Sequence, residues 1–446
     1  MNKSKPSKAA RTTGPKYWRS LDQLADAPEF RKWVDHEFPS GAEEVTDPVS
    51  RRNFMKLMSA SFLFAGLGMS GCRRPEEKII PFARQPLAYV HGKAKHFASA
   101  MPTRTGAIPL LVKQDDGRPT KIEGNDSHPD SNGGTNAFAQ ASILNLYDPD
   151  RATRYARDRE GSTREAGLAA IKEMADLAAT RQGRGLAILA NHGESPTRDR
   201  MRDLLLKKLP GAKWHEYEPV DHDIHRRTAT EAFGQSVKPY YKLDEAEVIL
   251  TLDCDFVGSE EESTLLMSKF AKGRKIDPAH PKMNRLYSVE ALFTLTGAAA
   301  DHRLRVPVSA VHRVAAQIAS KVLADSHFGS RELAAVKDAV VANSGAAGVD
   351  SGWVSGCADD LKKHAGKCVV MAGHGQPEAT HLIAHALNAA LGNVGKTVQL
   401  LPVPARKGGS IGDLVKALNN SEVDSLVILG GNPAYDAPAD LDFAGA

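Results

Sequence analysis

Four short runs of unbroken apolar residues, each stopped by glycine, aspartate or asparagine, constrain this chain more than anything else in it. Residues 186–190 (Leu-Ala-Ile-Leu-Ala) end at Asn191-His192-Gly193, and residues 248–252 (Val-Ile-Leu-Thr-Leu) end at Asp253. Residues 367–371 (Lys-Cys-Val-Val-Met) run up to Gly373-His374-Gly375, and residues 425–429 (Ser-Leu-Val-Ile-Leu) run up to Gly430-Gly431-Asn432-Pro433. A strand with one wet face alternates apolar and polar residues, so a run without polar breaks is buried on both faces, as in a parallel sheet covered by helices. Helical patterns separate the runs. One extends from Thr197 to Leu209 with Met201, Leu204, Leu205 and Leu209 on one side. The expected class is α/β with a doubly wound, mostly parallel sheet. Ligands of such sheets sit beyond the carboxyl ends of the strands, so the loops 191–195, 253–259, 373–377 and 430–436 form the candidate binding rim.

Gly373, Gly375, Gly430, Gly431 and Asn432 are the candidate cofactor-binding residues of that rim. A glycine lets backbone approach a phosphate closely, but it also serves a strand-to-helix turn for purely geometric reasons, and neither segment completes a GxGxxG fingerprint. His381 and His385 share one helical face as half of a metal pair would. No glutamate follows His381 and no third ligand is evident nearby, so no metal ligands are assigned. Neither a Gly-x-Ser-x-Gly elbow nor a P-loop occurs, and no catalytic residue is assigned. The four cysteines at 72, 254, 357 and 368 are too scattered for a disulfide scaffold or for a zinc or iron–sulfur ligand set. Cys254 reads as a buried small side chain at a strand end, and a disulfide between Cys357 and Cys368 is permitted but not required.

A chain of 446 residues can bury two or more cores. Its net charge of +4 comes largely from residues 1–20, which hold six Lys or Arg and no acid. That arm reads as disordered. No Lys/Arg block interleaved with aromatics follows, so nucleic acid is not an expected partner. Residues 17–38 carry Leu21, Leu24, Phe30, Trp33 and Val34 in an amphipathic pattern of one or two short helices.

Residues 50–56 read Ser-Arg-Arg-Asn-Phe-Met-Lys, with Arg51 and Arg52 ahead of an uncharged stretch from Leu57 to Cys72. This is the pattern of a twin-arginine export signal, which makes the twin-arginine translocase an expected partner. The stretch falls short of the ~18 or more apolar residues a membrane span usually needs. Its place is unusual, because export signals ordinarily begin near the N-terminus. Small residues precede Cys72 as in a lipoprotein processing site, although Met69 stands where a leucine is usual. Cys72 is either a lipid-bearing N-terminus or an inert thiol, and Arg73-Arg74 would strengthen a single-chain anchor. The expected divisions are a basic, partly helical extension (1–49), the signal (50–72), an N-terminal region containing a hairpin (73–160) and an α/β domain (161–446).

Residues 110–129 read as strand, Asp116-Gly117 turn, strand and a Gly/Asn/Asp/Pro loop, and Leu146-Tyr147-Asp148-Pro149-Asp150-Arg151 follows. Both stretches resemble the N-terminal domain of the molybdopterin oxidoreductase superfamily, where a DGR-x-x-x-I-x-G-N-x-x-H-P hairpin precedes an L-Y-x-P-x-R segment. The loops at Gly373 and Gly430 resemble that superfamily's nucleotide-cradling loops. Active members carry a Cys-x-x-Cys-x-x-x-Cys run before the hairpin and a fourth cysteine after it, which hold a [4Fe–4S] cluster. Here residues 97–108 and 133–140 contain no cysteine. Ala, Thr and Met cannot replace thiolates as cluster ligands, so the proximal relay is missing.

Together with the displaced twin-arginine box, residues 14–22 and 71–81 make the chain similar to the variant twin-arginine-translocated type of that superfamily, the group of the B subunits of alternative complex III. The resemblance implies a non-catalytic structural part of a membrane-bound quinol:acceptor oxidoreductase. It implies no cofactor in this chain, with molybdopterin absent and iron–sulfur clusters on a later ferredoxin-like domain. The implied partners are membrane subunits of a quinol-oxidising complex and a multihaem cytochrome c subunit, at the periplasmic face of the cytoplasmic membrane. That later domain is absent, and the expectation is a truncated product, a split gene or a fragment. The alternatives are an active molybdenum reductase or oxidase of the dimethyl-sulfoxide-reductase type, and a periplasmic nucleotide-binding module.

Overall fold

The computed structural model describes residues 24–25, 27–37, 56, 90, 92–129, 131–158, 160–276, 278, 281–342 and 350–446. Arg51, Arg52 and Cys72 lie outside the described residues, as does almost all of the expected export signal. The chain divides into two compact units, Met1–Tyr89 and Val90–Ala446, and the second spans the expected division at 160/161. In the first, helix α1 (Pro28–Glu37) opens on a proline whose fixed φ suits a helix start, with Glu29 in the first turn, where a carboxylate complements the helix dipole. Among the described residues no helix is long and apolar enough to cross a membrane.

The second unit is mixed α/β, and among the described residues its two larger α/β sheets are parallel and its three remaining sheets antiparallel. It begins with β1 (Lys95–Pro102), β2 (Ala107–Asp115) and β3 (Arg118–Gly124), an antiparallel meander in that order. Asp116 and Gly117 both have positive φ, 49° and 85°, which is the geometry that lets a two-residue turn match the twist of its strands. The expected hairpin thus carries a third strand. β1 escaped the sequence reading because it is mostly exposed and poor in β-branched residues. Ile108, Leu110 and Ile122 pack with Ala139 of helix α2 (Ala137–Ala141) into a small core. A minor hairpin follows, β4 (Tyr155–Arg157) and β5 (Glu160–Ser162).

From here the chain alternates. The elements are α3 (Arg164–Thr180), β6 (Leu186–Asn191), α4 (Pro196–Lys208), β7 (Lys213–Tyr217), α5 (Ile224–Phe233), β8 (Val237–Tyr241), β9 (Val248–Leu252) and α6 (Ser263–Arg274). They continue with β10 (Arg285–Glu290), α7 (Leu295–Ala298), β11 (His302–Arg305), α8 (Val308–Leu323), α9 (Arg331–Ala342) and α10 (Ser351–Lys363). The last are β12 (Cys368–Ala372), α11 (Glu378–Ala390), β13 (Val398–Pro402), α12 (Ile411–Asn419), β14 (Ser425–Leu429) and α13 (Pro433–Asp436).

All four apolar runs are strands, but they do not share one doubly wound sheet. A four-stranded parallel sheet has the order β11-β10-β9-β12, and a separate three-stranded parallel sheet has the order β14-β6-β7. β13 and β8 pair antiparallel as a ribbon. Three of the runs are buried as expected, whereas β14 is only partly covered, and an apolar run carries no information about its neighbour. Within the four-stranded sheet, Val248, Leu250 and Leu252 face Val314, Ile318, Leu361 and Leu387 from α8, α10 and α11. Ile249, Val369 and Met371 point to the other side, against Phe256, Leu266 and Phe270. Each fully buried Leu, Ile or Phe contributes about 1.5–3 kcal/mol, so these two clusters supply much of the stability.

The inward face of α4 also differs from expectation. Leu205, Leu206 and Leu209 pack inward, whereas Met201 and Leu204 are 58% and 50% exposed. Arg202 is buried instead, because Asp199, Asp203 and Glu216 surround its guanidinium at 3.0, 3.3 and 3.7 Å. Burial of a charge is tolerable when it is paired in this way.

Candidate functional site

Each parallel sheet has a point where the direction of winding reverses. The chain lays down β9, β10 and β11 outward and then returns to place β12 on the other side of β9. It likewise lays down β6 and β7 and returns with β14 beside β6. Loops leaving two such adjacent strands in opposite directions open a crevice, the usual ligand position in these folds. The expected rim is therefore two sites. One joins the loops after β9 and β12, and the other joins those after β6 and β14.

At the β6/β14 crevice Gly430 and Gly431 have φ of +78° and +74°, and a Cβ on either would come within 3.2 or 2.8 Å of Asn191 Oδ1. They line, with Tyr217, Asn432 and Asp436, a cavity of ≈ 10 Å³, which is room for about one water. The Tyr217 hydroxyl donates to the Asp436 carbonyl at 2.6 Å and closes the crevice. At the other crevice, a Cβ on Gly373 would lie 2.0 Å from the Asp253 carbonyl oxygen, so Gly373 is there to let the β9 and β12 loops touch. Gly375 faces open space. The space beside Gly430 and Gly431 is thus taken by Asn191 and that beside Gly373 by backbone, and only Gly375 leaves room.

The described cysteines do not fit an iron–sulfur cluster either. Cys254, Cys357 and Cys368 are free and buried. Cys254 belongs to one core cluster and the other two to another. Burial, with nearby carboxylates, pushes the Cys254 and Cys357 thiols well up and the Cys368 thiol to about 12. His381 and His385 are core residues. His381 Nε2 bonds the Gly373 carbonyl at 3.0 Å and His385 Nε2 meets Thr228 Oγ1 at 3.3 Å. Burial pushes both down to about 3, with the charge of His225 adding to the effect.

The chemistry at the β9/β12 crevice comes from residues that were not singled out in the sequence. Glu260 lies just beyond the β9 loop, His374 lies in the β12 loop, and His222 arrives on the loop between β7 and α5. Glu260 Oε1 accepts from the His374 backbone N–H at 3.0 Å and lies 3.0 Å from its Nδ1. Glu260 Oε2 is 3.1 Å from His225 Nε2. The rings of His222 and His374 stack with centroids 4.1 Å apart. Burial would raise the Glu260 carboxyl, but its bonds to His225 and His374 outweigh this and hold it well below the usual range. The bond to Glu260 raises His374, while burial and the neighbouring His374 lower His222 to about 4. The crevice thus holds a carboxylate kept ionised by its imidazole partners, with the buried His222 ring, neutral at pH 7, stacked on His374.

Ion pairs hold the segments on either side of this group. Arg104, in the β1–β2 turn, donates to Glu218 and Glu261 at 2.7 Å each. Lys238 donates to the Thr105 carbonyl at 3.1 Å and pairs with Glu262 at 2.5 Å. Burial would lower the Lys238 ammonium, but Glu262 and Glu194 beside it raise it instead. Arg406 holds Asp223 at 2.8 Å and Glu216 at 3.0 Å. A partly open cavity of ≈ 40 Å³ is lined by His222, His225, Lys238, Tyr241, Glu260 and neighbouring side chains. The legible signal for this site was the loop pair itself.

No family model matches the chain. No curated protein matches it. Among solved structures it is similar to acetylene hydratase from Pelobacter acetylenicus, at 12% identity and a TM-score of 0.47, over 68% of this chain and 44% of that one. It is also similar to the formyltransferase/hydrolase complex from Methylorubrum extorquens in complex with methylofuran, at 13% identity and a TM-score of 0.35, over 61% of this chain and 59% of that one. The chain therefore spans less than two thirds of either. Both likenesses are too distant to assign a family or an activity.

Proposed function

We propose that this chain is a scaffold segment of an exported, membrane-associated oxidoreductase of the alternative complex III type, and that it carries no redox centre of its own. The observation that carries the reading is the cysteine-free sequence on both sides of the DGR hairpin, in a chain whose hairpin and L-Y-x-P-x-R segment otherwise follow the molybdopterin oxidoreductase pattern. The geometry of residues 97–108 supports it. Where the superfamily has cluster ligands, this chain has strand β1, the start of β2 and a turn whose Arg104 is latched onto Glu218 and Glu261. Ion pairs in a partly buried setting hold a meander in place but transfer no electrons.

In this reading the α/β unit supports other subunits, while electrons pass from a membrane quinol-oxidising partner to a multihaem cytochrome c through clusters on a ferredoxin-like domain. Arg51-Arg52 direct export, and Cys72, if acylated, holds the segment at the outer face of the cytoplasmic membrane. The test is cofactor content. Purified from a host able to make the cofactor, the full chain is expected to be colourless, with background molybdenum and no acid-labile sulfide. Stoichiometric molybdenum would overturn the reading in favour of an active molybdenum enzyme. Export is checked separately by changing Arg51 and Arg52 to Lys, which should retain the protein inside the cell.

A further inference from the structure

The β9/β12 crevice holds a donor set that the scaffold reading does not use. His222, Glu260 and His374 each present one ligand atom, and these atoms lie within 4.8 Å of one another. Atoms bound to one cation at ~2.0–2.2 Å each lie somewhat closer together than that, so small side-chain rotations close the difference. Two independent observations point to a ligand. Nδ1 of His222 is buried without a hydrogen-bond partner, in a residue only 6% exposed. Beside His222 and Glu260 lies the partly open cavity of ≈ 40 Å³ that both line, enough for about two or three waters.

We infer that His222, Glu260 and His374 form a binding site for a single zinc-class divalent cation, with a coordination position open to the adjacent cavity. Two imidazoles and one carboxylate are the donors of open zinc sites, whereas Mg²⁺ and Ca²⁺ favour all-oxygen shells. The supporting shell is in place. The contact from His225 to Glu260 Oε2 leaves Oε1 directed at the cation, and the His374 backbone N–H fixes the carboxylate's orientation. The cation takes the place of the proton now between His374 Nδ1 and Glu260 Oε1. The site sits at a switch point and has an open position, so it would bind and polarise a small oxygen-bearing molecule, water first.

Co²⁺ alone is the probe. The full-length chain, stripped with chelator, is titrated with Co²⁺ and followed by visible d–d absorption and by bound metal after gel filtration. One Co²⁺ per chain is expected, retained in excess Mg²⁺. His222→Gln and His374→Gln should each weaken it by roughly 100-fold or more, beyond what loss of a supporting residue does. Absence of saturable 1:1 uptake overturns the site, and so does wild-type affinity in His222→Gln. Should a variant lose its fold by circular dichroism, the Co²⁺-loaded wild type decides alone. Two paramagnetically shifted imidazole N–H resonances support the site, and none overturns it. The outcome is independent of the molybdenum and sulfide measurements.

Discussion

The two parallel sheets use the same winding and fill it differently. In the four-stranded sheet β9 and β12 are buried along their whole length, and the crevice at their ends collects two histidines and a glutamate. In the three-stranded sheet β14 is only partly covered, with Ile428 and Leu429 43% and 48% exposed, and the crevice collects glycines and a closing tyrosine. Topology supplies the place for a ligand in both. Side chains supply chemistry in one. A switch point is thus a weak indicator of function until the residues on its loops are known.

The comparison breaks first on burial. Leu250→Ala, at a fully buried position, is expected to cost about 2–5 kcal/mol. Ile428→Ala in the half-open strand should cost about 1 kcal/mol or less. Urea midpoints at unchanged m-value would measure both. Equal losses would mean that the two sheets are equally well covered.

The next effect is on pH. His385, on α11 behind the four-stranded sheet, is held near 3 by burial, with His225 the facing charge, against about 6.5 when unfolded. The unfolded chain therefore binds more protons between those values. The contribution to stability is complete above pH 6.5 and is lost as pH falls toward 3, by roughly 1.4 kcal/mol per unit within the window. Relative to His385→Gln, wild type should lose roughly 2 kcal/mol between pH 7 and pH 5. Parallel stability–pH curves for the two proteins would show that His385 is protonated in the fold.

What could be read beforehand follows a physical line. Strand identity was legible because Val248 to Leu252 and Leu186 to Ala190 must be buried on two faces, and the Asp116-Gly117 turn was legible because its φ values demand those residues. Partition into two sheets was not, since pairing is a long-range choice that no local period encodes. The inward face of α4 was misjudged because apolar spacing cannot foresee that three acids will bury Arg202. The loop of His374 was legible as part of the rim, but its meeting with His222 and Glu260 was not, for the same reason as the sheet partition: they come from three loops far apart in sequence, and each alone is an ordinary polar loop residue.

The smallest contrast lies in the glycines of the two crevices, and it carries opposite signs. Gly430 sits at φ +78° with Asn191 Oδ1 3.2 Å from where a Cβ would be. Gly430→Ala should therefore destabilise by about 1–2 kcal/mol through the left-handed backbone. Gly375 has no positive φ and nothing within 4 Å of its would-be Cβ. Gly375→Ala should be neutral or stabilise by up to about 1 kcal/mol, because alanine restricts the unfolded chain. Thermal midpoints of the two variants measure the difference. If Gly375→Ala instead destabilises as much as Gly430→Ala, the β12 loop is held in a conformation that only glycine adopts, and His374 would owe its position to that strain rather than to its bonds with Glu260.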